Sequence, residues 1–460
     1  MRSDNATSTA MKAIFEPKSI AIVGASREPK KMGHIIAKHI IEAGFKGKIF
    51  PVNPKADQIL GLRTYASVED IPDPIDLAVL VVPAPYIPRI LEGCARKKIA
   101  SVIVISGGFR EVGKEGEELE RALVNIVRTT GIRLVGPNCI GVDNPYVGMS
   151  MWIPVKKKGP IGIITQSGTV GSALECWAEK ENIGISKYFA LGNKIDVNEI
   201  DVLRYYENDS HTKVIAMYLE GVSDGRKFMQ VASEITKKKP ILVLKGGRTE
   251  AGQRAAVSHT KSMAGKDEIF DAACKQSGIM RVNSLEELYD FSKALSFLPL
   301  PKGRGLLVVT SSGGAGILVA DYCDRLGLKL PKPSESVVRH LREVLPPQCS
   351  FSNPFDLTTT TSEMFELVME KNLRDPNIHA MLPIFGDPLP RAAQAVERIS
   401  EKTEKPIVVC YVAGAEVEDI EKAEMQSKGI PVFPTPERAL TALHVLVRRH
   451  VMLRSICESG

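Results

Sequence analysis

No apolar run in these 460 residues reaches the length of roughly 20 that a membrane-crossing helix needs. The polar, Ser/Thr/Asn-rich start, Met1 to Ala10, lacks the apolar core of an export leader and reads as a disordered tail. Cysteine occurs eight times but always singly. With no C-x-x-C spacing, neither a zinc site nor a disulfide framework is expected, and the compartment is reducing, the cytoplasm. Aromatic residues make up only 6% of the chain, and its net charge of +6 is thinly spread. A nucleic-acid surface would show a basic stripe with interleaved aromatics, so no nucleic-acid or membrane partner is expected. Also absent is a Walker-type glycine loop ending in Lys-Ser or Lys-Thr.

What is present is a soluble globular composition, in a chain too long for one core. From 11 to 155, short apolar runs (Ser19–Val23, Lys48–Val52, Leu77–Val82, Ser101–Ile105, Arg133–Val135) alternate with helical patterns near His34–Ala43, Pro85–Lys97 and Lys114–Thr129. That is the alternation of a doubly wound, Rossmann-type α/β domain, whose ligand lies at the carboxyl ends of the strands. The first strand runs into Gly24-Ala25-Ser26-Arg27 and a helix, a turn whose N–H groups can face a phosphate. Its glycines do not fall at the G-x-G-x-x-G spacing. The second strand ends in Asn53-Pro54-Lys55, where an NAD site would offer an acid to the ribose. A lysine there, with Arg27, Lys30 and Lys31 close in sequence, suits an adenosine carrying an extra phosphate, as in coenzyme A or NADP. The remaining strand ends hold Pro83, Ser106-Gly107 and Gly136-Pro137-Asn138-Cys139.

Lys156 to Pro160 reads as a linker to a second α/β domain, 156–298. Its first strand, Ile161–Thr165, leads through Gln166 to Ser167-Gly168-Thr169, a helix start with Ser167 as N-cap and free N–H groups for an anion. The third strand ends in Glu220 and the fourth, Ile241–Leu244, runs into some twenty aperiodic residues around His259. A third domain, 299–460, repeats the second: Gly305 to Gly316 echoes Gly162 to Gly171, and Asn353-Pro354-Phe355-Asp356 echoes Asn193-Lys194-Ile195-Asp196. The second copy is about fifteen residues shorter between Pro406 and Gly429 than the first is between Pro240 and Gly278, so the His259 segment is an insertion that the fold does not need. A neutral imidazole is a good nucleophile near neutral pH when a carboxylate holds its other nitrogen, and Glu220 is the residue placed to orient His259.

The G-A-S turn, N-P-K, V-P-A-P, S-G-G and G-P-N-C-x-G motifs, in this order at consecutive strand ends, resemble the CoA-binding domain of the succinyl-CoA synthetase α subunit. They resemble more closely the α part of the ADP-forming acetyl-CoA synthetases, and the resemblance spans the whole chain. It implies a CoA-binding Rossmann-type domain followed by two flavodoxin-like domains. Gly24, Ala25, Ser26, Arg27, Asn53, Lys55, Pro83, Ser106, Gly107 and Asn138 would bind CoA, and Ser167, Gly168 and Thr169 phosphate. His259 would be phosphorylated by an acyl phosphate, with Glu220 orienting it, and its mobile loop would carry the phosphoryl group to Mg-ADP. No ATP-grasp domain is legible, so the resemblance also implies a separate β subunit that holds Mg2+ with ADP or ATP, in an α2β2 assembly. No metal site is expected in this chain itself. Two other readings stay open: a non-catalytic acyl-CoA-sensing module and an NADP-dependent oxidoreductase.

Overall fold

In a computed structural model the chain divides into two compact units, Met1–Lys180 with Gly184–Leu285 and Glu181–Ile183 with Glu286–Gly460. Residues 4–260, 266–358 and 360–458 are described, and of these the side chains of all but 4–7, 257–260 and 456–458.

The first unit opens on helix α1 (Asp4–Phe15), which corrects the expectation of a disordered tail for the residues from Asp4 onward. Ala10, Met11, Ile14 and Phe15 fall at helical spacing and are buried. The Phe15 ring stacks on Tyr205 at 4.3 Å, and the Ala10 carbonyl accepts from Ser101 Oγ at 2.9 Å. The polar first half of the helix masks this apolar face. There follow β1 (Ser19–Val23), α2 (Met32–Glu42), β2 (Lys48–Val52), the hairpin β3 (Gln58–Ile59) and β4 (Leu62–Arg63), β5 (Leu77–Leu80), α3 (Ile87–Arg96), β6 (Ser101–Val104), α4 (Lys114–Thr130) and β7 (Arg133–Val135). The sheet order is β2-β1-β5-β6-β7, all parallel. Such strands are covered on both faces, which is why they read as unbroken apolar runs.

A second sheet in the same unit holds β8 (Val142–Asp143), β9 (Lys158–Thr165), β10 (Ile185–Ala190), β11 (Val214–Leu219), β12 (Ile241–Lys245) and β13 (Met280–Val282), in the order β13-β12-β11-β9-β10-β8. All neighbours are parallel except the short β8, which runs antiparallel to β10. Lys158 to Pro160, read as linker, already belongs to β9. The helices are α5 (Gly168–Lys180), α6 (Glu199–Asn208), α7 (Gly225–Ile235), α8 (Glu250–Thr260) and α9 (Asp267–Ser277).

Helix α8 corrects the reading of the His259 segment as aperiodic. Glu250 sits in its first turn, Thr249 Oγ1 accepts from the Gly252 N–H at 3.1 Å, and Ala251, Gln253, Arg254, Ala255 and Ala256 are strong helix formers. The sequence lacks an apolar stripe there, so only propensity could have revealed the helix.

α10 (Leu285–Phe297) leads into the second unit, which contains β14 (Leu306–Thr310), α11 (Gly313–Leu326), α12 (Glu335–Val344), β15 (Phe355–Asp356), α13 (Ser362–Asn372), β16 (Ala380–Phe385), α14 (Ala392–Ser400), β17 (Val409–Tyr411), α15 (Ala415–Ser427), β18 (Val432–Phe433) and α16 (Pro436–Glu458). Alternate residues of β14 serve two cores: Leu307 and Val309 join Phe365 and Val396 on one face, Leu306 and Val308 join Val319 and Leu443 on the other. The order β15-β14-β16-β17-β18 repeats that of the second sheet without β8, so both are flavodoxin-like. One helix, α15, lies between β17 and β18, whereas α8 and α9 lie between β12 and β13. The insertion inferred from the internal repeat is therefore a helix with its connections.

Candidate active site

In sheets of this order the direction of winding reverses between the first strand and its inner neighbour, and a crevice opens there at the carboxyl ends. In the first sheet that point lies between β1 and β5. A Cβ at Gly24 (φ +92°) would stand 2.4 Å from the Val81 carbonyl oxygen, and one at Gly33 would stand 2.0 Å from that of Gly24. These two glycines let α2 and β5 close on the turn after β1. Asn53 Nδ2 donates to the Ala25 carbonyl at 2.8 Å, while Asn53 Oδ1 accepts from the Lys55 N–H at 2.9 Å. Ser26 Oγ accepts from the Glu28 N–H at 3.1 Å, and the Ser26 carbonyl meets His34 Nδ1 at 2.8 Å. Arg27, Lys30 and Lys55 are exposed, and among the described residues none of them has a carboxylate partner.

In the second sheet the reversal lies between β9 and β11. Gln166 Oε1 accepts from the N–H groups of Glu220 at 2.5 Å and Gly221 at 3.0 Å, tying the two strand ends together. Glu220 is buried. Two ammonium groups hold the backbone of its turn: Lys245 Nζ donates to the Glu220 carbonyl at 2.7 Å, and Lys194 Nζ to the Gly221 carbonyl at 2.6 Å. Burial pushes the Lys245 pKa below its ordinary value.

The crevices of the two sheets meet in one cleft of about 650 Å³. Pro83, Ser106, Gly107 and Asn138 from the first sheet and Ser167, Gly168 and Thr169 from the second all line it. Gly24, Ala25, Ser26, Arg27, Asn53 and Lys55 lie at the ends of β1 and β2 and do not line it. Glu220 stands behind the lining residue Gln166. His259 falls in the last turn of α8, whose backbone runs beside Arg110–Val112 after the Ser106-Gly107 turn; its side chain is outside the described residues, as is any pairing with Glu220.

Ser167 is not the side-chain cap that the sequence suggests. Thr165 Oγ1 takes the Ser167 N–H at 3.1 Å and donates to the Ser167 carbonyl at 2.7 Å, while among the described residues Ser167 Oγ has no partner. Ser167, Gly168 and Thr169, at the first turn of α5, line the cleft, and the positive end of a helix favours an anion. The repeated feature in the second unit differs. A Cβ at Gly313 would lie 2.8 Å from Asp356 Oδ2, so a carboxylate already occupies the start of α11. In the first unit the matching Asp196 is turned away, paired with Arg133 at 2.8 Å and accepting from the Leu134 N–H at 2.9 Å.

Several residues of the cleft carried no role in the sequence reading: Gln166, Asn193, Ile140 and Trp152 line it. Asn193 Nδ2 donates to Glu111 Oε2 and Glu120 Oε2, each at 2.9 Å, and Arg110 Nη2 donates to the Asn193 carbonyl at 2.9 Å. Burial alone would raise the Glu111 carboxyl, but donors from Asn193, Phe109 N and Gly108 N outweigh it and hold the pKa below the ordinary carboxylate value. Glu111 thereby locks the Ser106–Gly108 turn of one sheet to the Asn193 turn of the other. The Asn193/Asn353 echo in the repeat was the one sequence signal for this, and it pointed to a shared structural role rather than a clamp.

Residues 18–145 match the family described as CoA binding domain, 158–295 the succinyl-CoA ligase like flavodoxin domain, and 306–450 the Ligase-CoA domain. A CoA-binding sheet facing a flavodoxin-like sheet across one cleft is the architecture of a CoA ligase. The chain is 40% identical over 455 residues to the α subunit of ADP-forming acetate–CoA ligase I of Pyrococcus furiosus, covering 95% of this chain and 97% of that one. ADP-forming acetate–CoA ligase I of Archaeoglobus fulgidus is 40% identical over 442 residues, and the match spans 95% of this chain but 63% of that longer protein. Among solved structures, the dinucleotide forming acetyl-coenzyme A synthetase 1 of Ca. Korarchaeum cryptofilum, in complex with phosphate and ADP, superposes with a TM-score of 0.90 at 36% identity, covering 98% of this chain and 99% of that one. The chain belongs to the family of ADP-forming acetate–CoA ligase α subunits.

Proposed function

We propose that this chain is the α-type subunit of an ADP-forming acyl-CoA ligase and carries out the acyl-transfer half of acyl-CoA + phosphate + ADP ⇌ acid + CoA + ATP. The observation that carries this is the single cleft joining the CoA-type strand ends to the open N-terminus of α5. Arg27, Lys30 and Lys55 form a cationic rim suited to the phosphates of CoA, the 3′-phosphate included, and Gly24 to Ser26 offer backbone N–H groups. Ser167, Gly168 and Thr169 hold inorganic phosphate at the helix end. A phosphate oxygen attacks the thioester carbonyl carbon, the C–S bond breaks, and the thiolate leaves to be protonated as free CoA. The resulting acyl phosphate is then attacked at phosphorus by an imidazole nitrogen of His259. The P–O bond to the acyl group breaks, releasing the acid as carboxylate, and Glu220 orients the ring and balances its charge.

The phosphoryl group next passes to ADP. The match to a longer single-chain relative in Archaeoglobus fulgidus and the α-subunit name of the Pyrococcus relative support a separate β partner for that step. We assign to it the ATP-grasp site with Mg2+, in an α2β2 assembly. Mg2+ there would neutralise charge on the transferring phosphoryl group. The helical form of the His259 segment suits a carrier, because the helix can move as one piece on Gly246 and Gly247, which precede it.

The test is incubation of the chain with acetyl-CoA and labelled phosphate. Acid-labile label is expected on the wild type and none on His259→Asn; adding Mg-ADP and the β subunit should move the label to ATP. Undiminished label on His259→Asn would overturn the reading.

A further inference from the structure

Two apolar residues, Ile140 and Trp152, line the cleft along with those proposed to hold CoA and phosphate. Ile140 lies on the first turn of α5, where a Cβ at Gly168 would come within 2.8 Å of its Cγ2. Trp152, half-buried, lines the same cleft. Its backbone is anchored from below: the buried Asp143 accepts from the Met151 N–H at 2.5 Å and from the Trp152 N–H. Met151 is itself fully buried against Gly141. The indole therefore stands on a rigid base.

On the ligase reading, the thioester sulfur would come from the side of Pro83 and Ser106, and phosphate would sit at the start of α5. For attack the phosphate oxygen must approach the carbonyl carbon to about 3–3.5 Å. Of the apolar residues lining the cleft, Ile140 packs on the first turn of α5, so the acyl substituent of a thioester attacked there would lie against it, with Trp152 lining the same cleft. Among the described residues lining the cleft, none carries a charge. A second carboxylate on the substrate would be desolvated there without a cation to meet it.

Building on the ligase reading above, we infer that Ile140 and Trp152 form the wall of the acyl subsite and restrict the enzyme to short, uncharged acyl groups. Acids with one carboxylate and a small aliphatic chain fit; dicarboxylic and arylalkyl acids do not. A single methylene in an apolar pocket changes discrimination by about 10–200-fold, so truncating either side chain should have a large effect.

The experiment measures the rate constant of acid-labile labelling of the full chain from labelled phosphate with acetyl-, butyryl-, phenylacetyl- and succinyl-CoA. For the wild type we expect acetyl-CoA to lead and succinyl-CoA to trail. Trp152→Ala and Ile140→Ala should each raise the phenylacetyl-to-acetyl ratio at least about tenfold, and Trp152→Phe, which keeps a ring on the same base, should fall between. Succinyl-CoA should stay poor in all of them. An equal fall with every acyl-CoA would mean that the two residues only support the fold, and would overturn the inference. So would unchanged ratios, or a wild type that prefers succinyl-CoA. A wild type labelled by no acyl-CoA would overturn the ligase reading, and this inference with it.

Discussion

Gln166 and Glu220 meet across the reversal point of the second sheet, the Gln166 side-chain carbonyl accepting from the backbone N–H of Glu220 at 2.5 Å and of its neighbour Gly221 at 3.0 Å. Gln166 also lines the cleft beside Ser167. One amide thus couples the α5 end of the cleft to the turn that carries the proposed orienting carboxylate.

Replacing that amide by an apolar side chain leaves two N–H groups in a buried turn without an acceptor. Gln166→Leu should lower stability by about 2–6 kcal/mol, read from urea unfolding, since each of the two unsatisfied groups costs about 1–3 kcal/mol. It should also slow labelling of His259. Gln166→Glu keeps both acceptors and should recover most of the stability. A Leu variant as stable as wild type would show that the turn does not depend on this residue.

Beneath the cleft, Asp143 and Glu175 of α5 are both buried, and among the described residues no donor reaches Asp143 Oδ2 or either Glu175 oxygen. A proton shared between the two carboxyls would give them a hydrogen bond to each other. Burial raises Asp143 to about 6, and burial with the nearby Asp143 charge raises Glu175 well above its ordinary value. Folded protein thus holds protons that the unfolded chain releases near pH 4, so the pair's contribution is full below that pH and falls as pH rises through the folded values. The loss is at most about 1.4 kcal/mol per pH unit for each proton retained. Glu175→Gln has no proton to lose. Its urea midpoint should fall less between pH 5 and pH 8 than that of wild type, and equal slopes would rule out the shared proton.

Gly33 lets α2 pass directly over the turn after β1, its missing Cβ leaving room for the Gly24 carbonyl oxygen. Gly33→Ala should push the helix outward, cost about 1–3 kcal/mol as overpacking does, and weaken CoA binding in calorimetry. Gly44→Ala, at an open position of positive φ, controls for backbone strain alone: it should leave CoA affinity intact.

Glu111 joins the two walls of the cleft through Gly108 N at 2.7 Å and Asn193 Nδ2 at 2.9 Å. Glu111→Ala should raise the KM for acyl-CoA by tenfold or more while changing stability by less than the roughly 3 kcal/mol expected of a core truncation. An unchanged KM would confine Glu111 to the first domain's own turn.

Strand by strand, much of this protein was legible in one sequence. β1, β2 and β7 have the bounds that their runs suggest, because strands covered on both faces read as mostly apolar runs. The motifs at their carboxyl ends were legible too, since turns after parallel strands carry fixed residue demands. Helices α1 and α8 were not, for opposite reasons. In α1 the apolar face begins only at Ala10, after a polar half; in α8 there is no apolar stripe, only helix-forming residues.

By itself, then, the sequence determined the α/β class, the internal repeat and its insertion, and the residue types offered at each strand end. These follow from local periodicity and from backbone chemistry that a neighbour a few residues away can satisfy. Only the tertiary structure decided which of those ends share a cleft, that Gln166 rather than a cap on Ser167 organises the α5 end of it, and that Asp356 fills the equivalent position in the repeat while Asp196 leaves it open. Contacts such as Glu111 to Asn193 join residues some eighty positions apart. Their existence depends on how two finished sheets close against each other, and no local pattern records that.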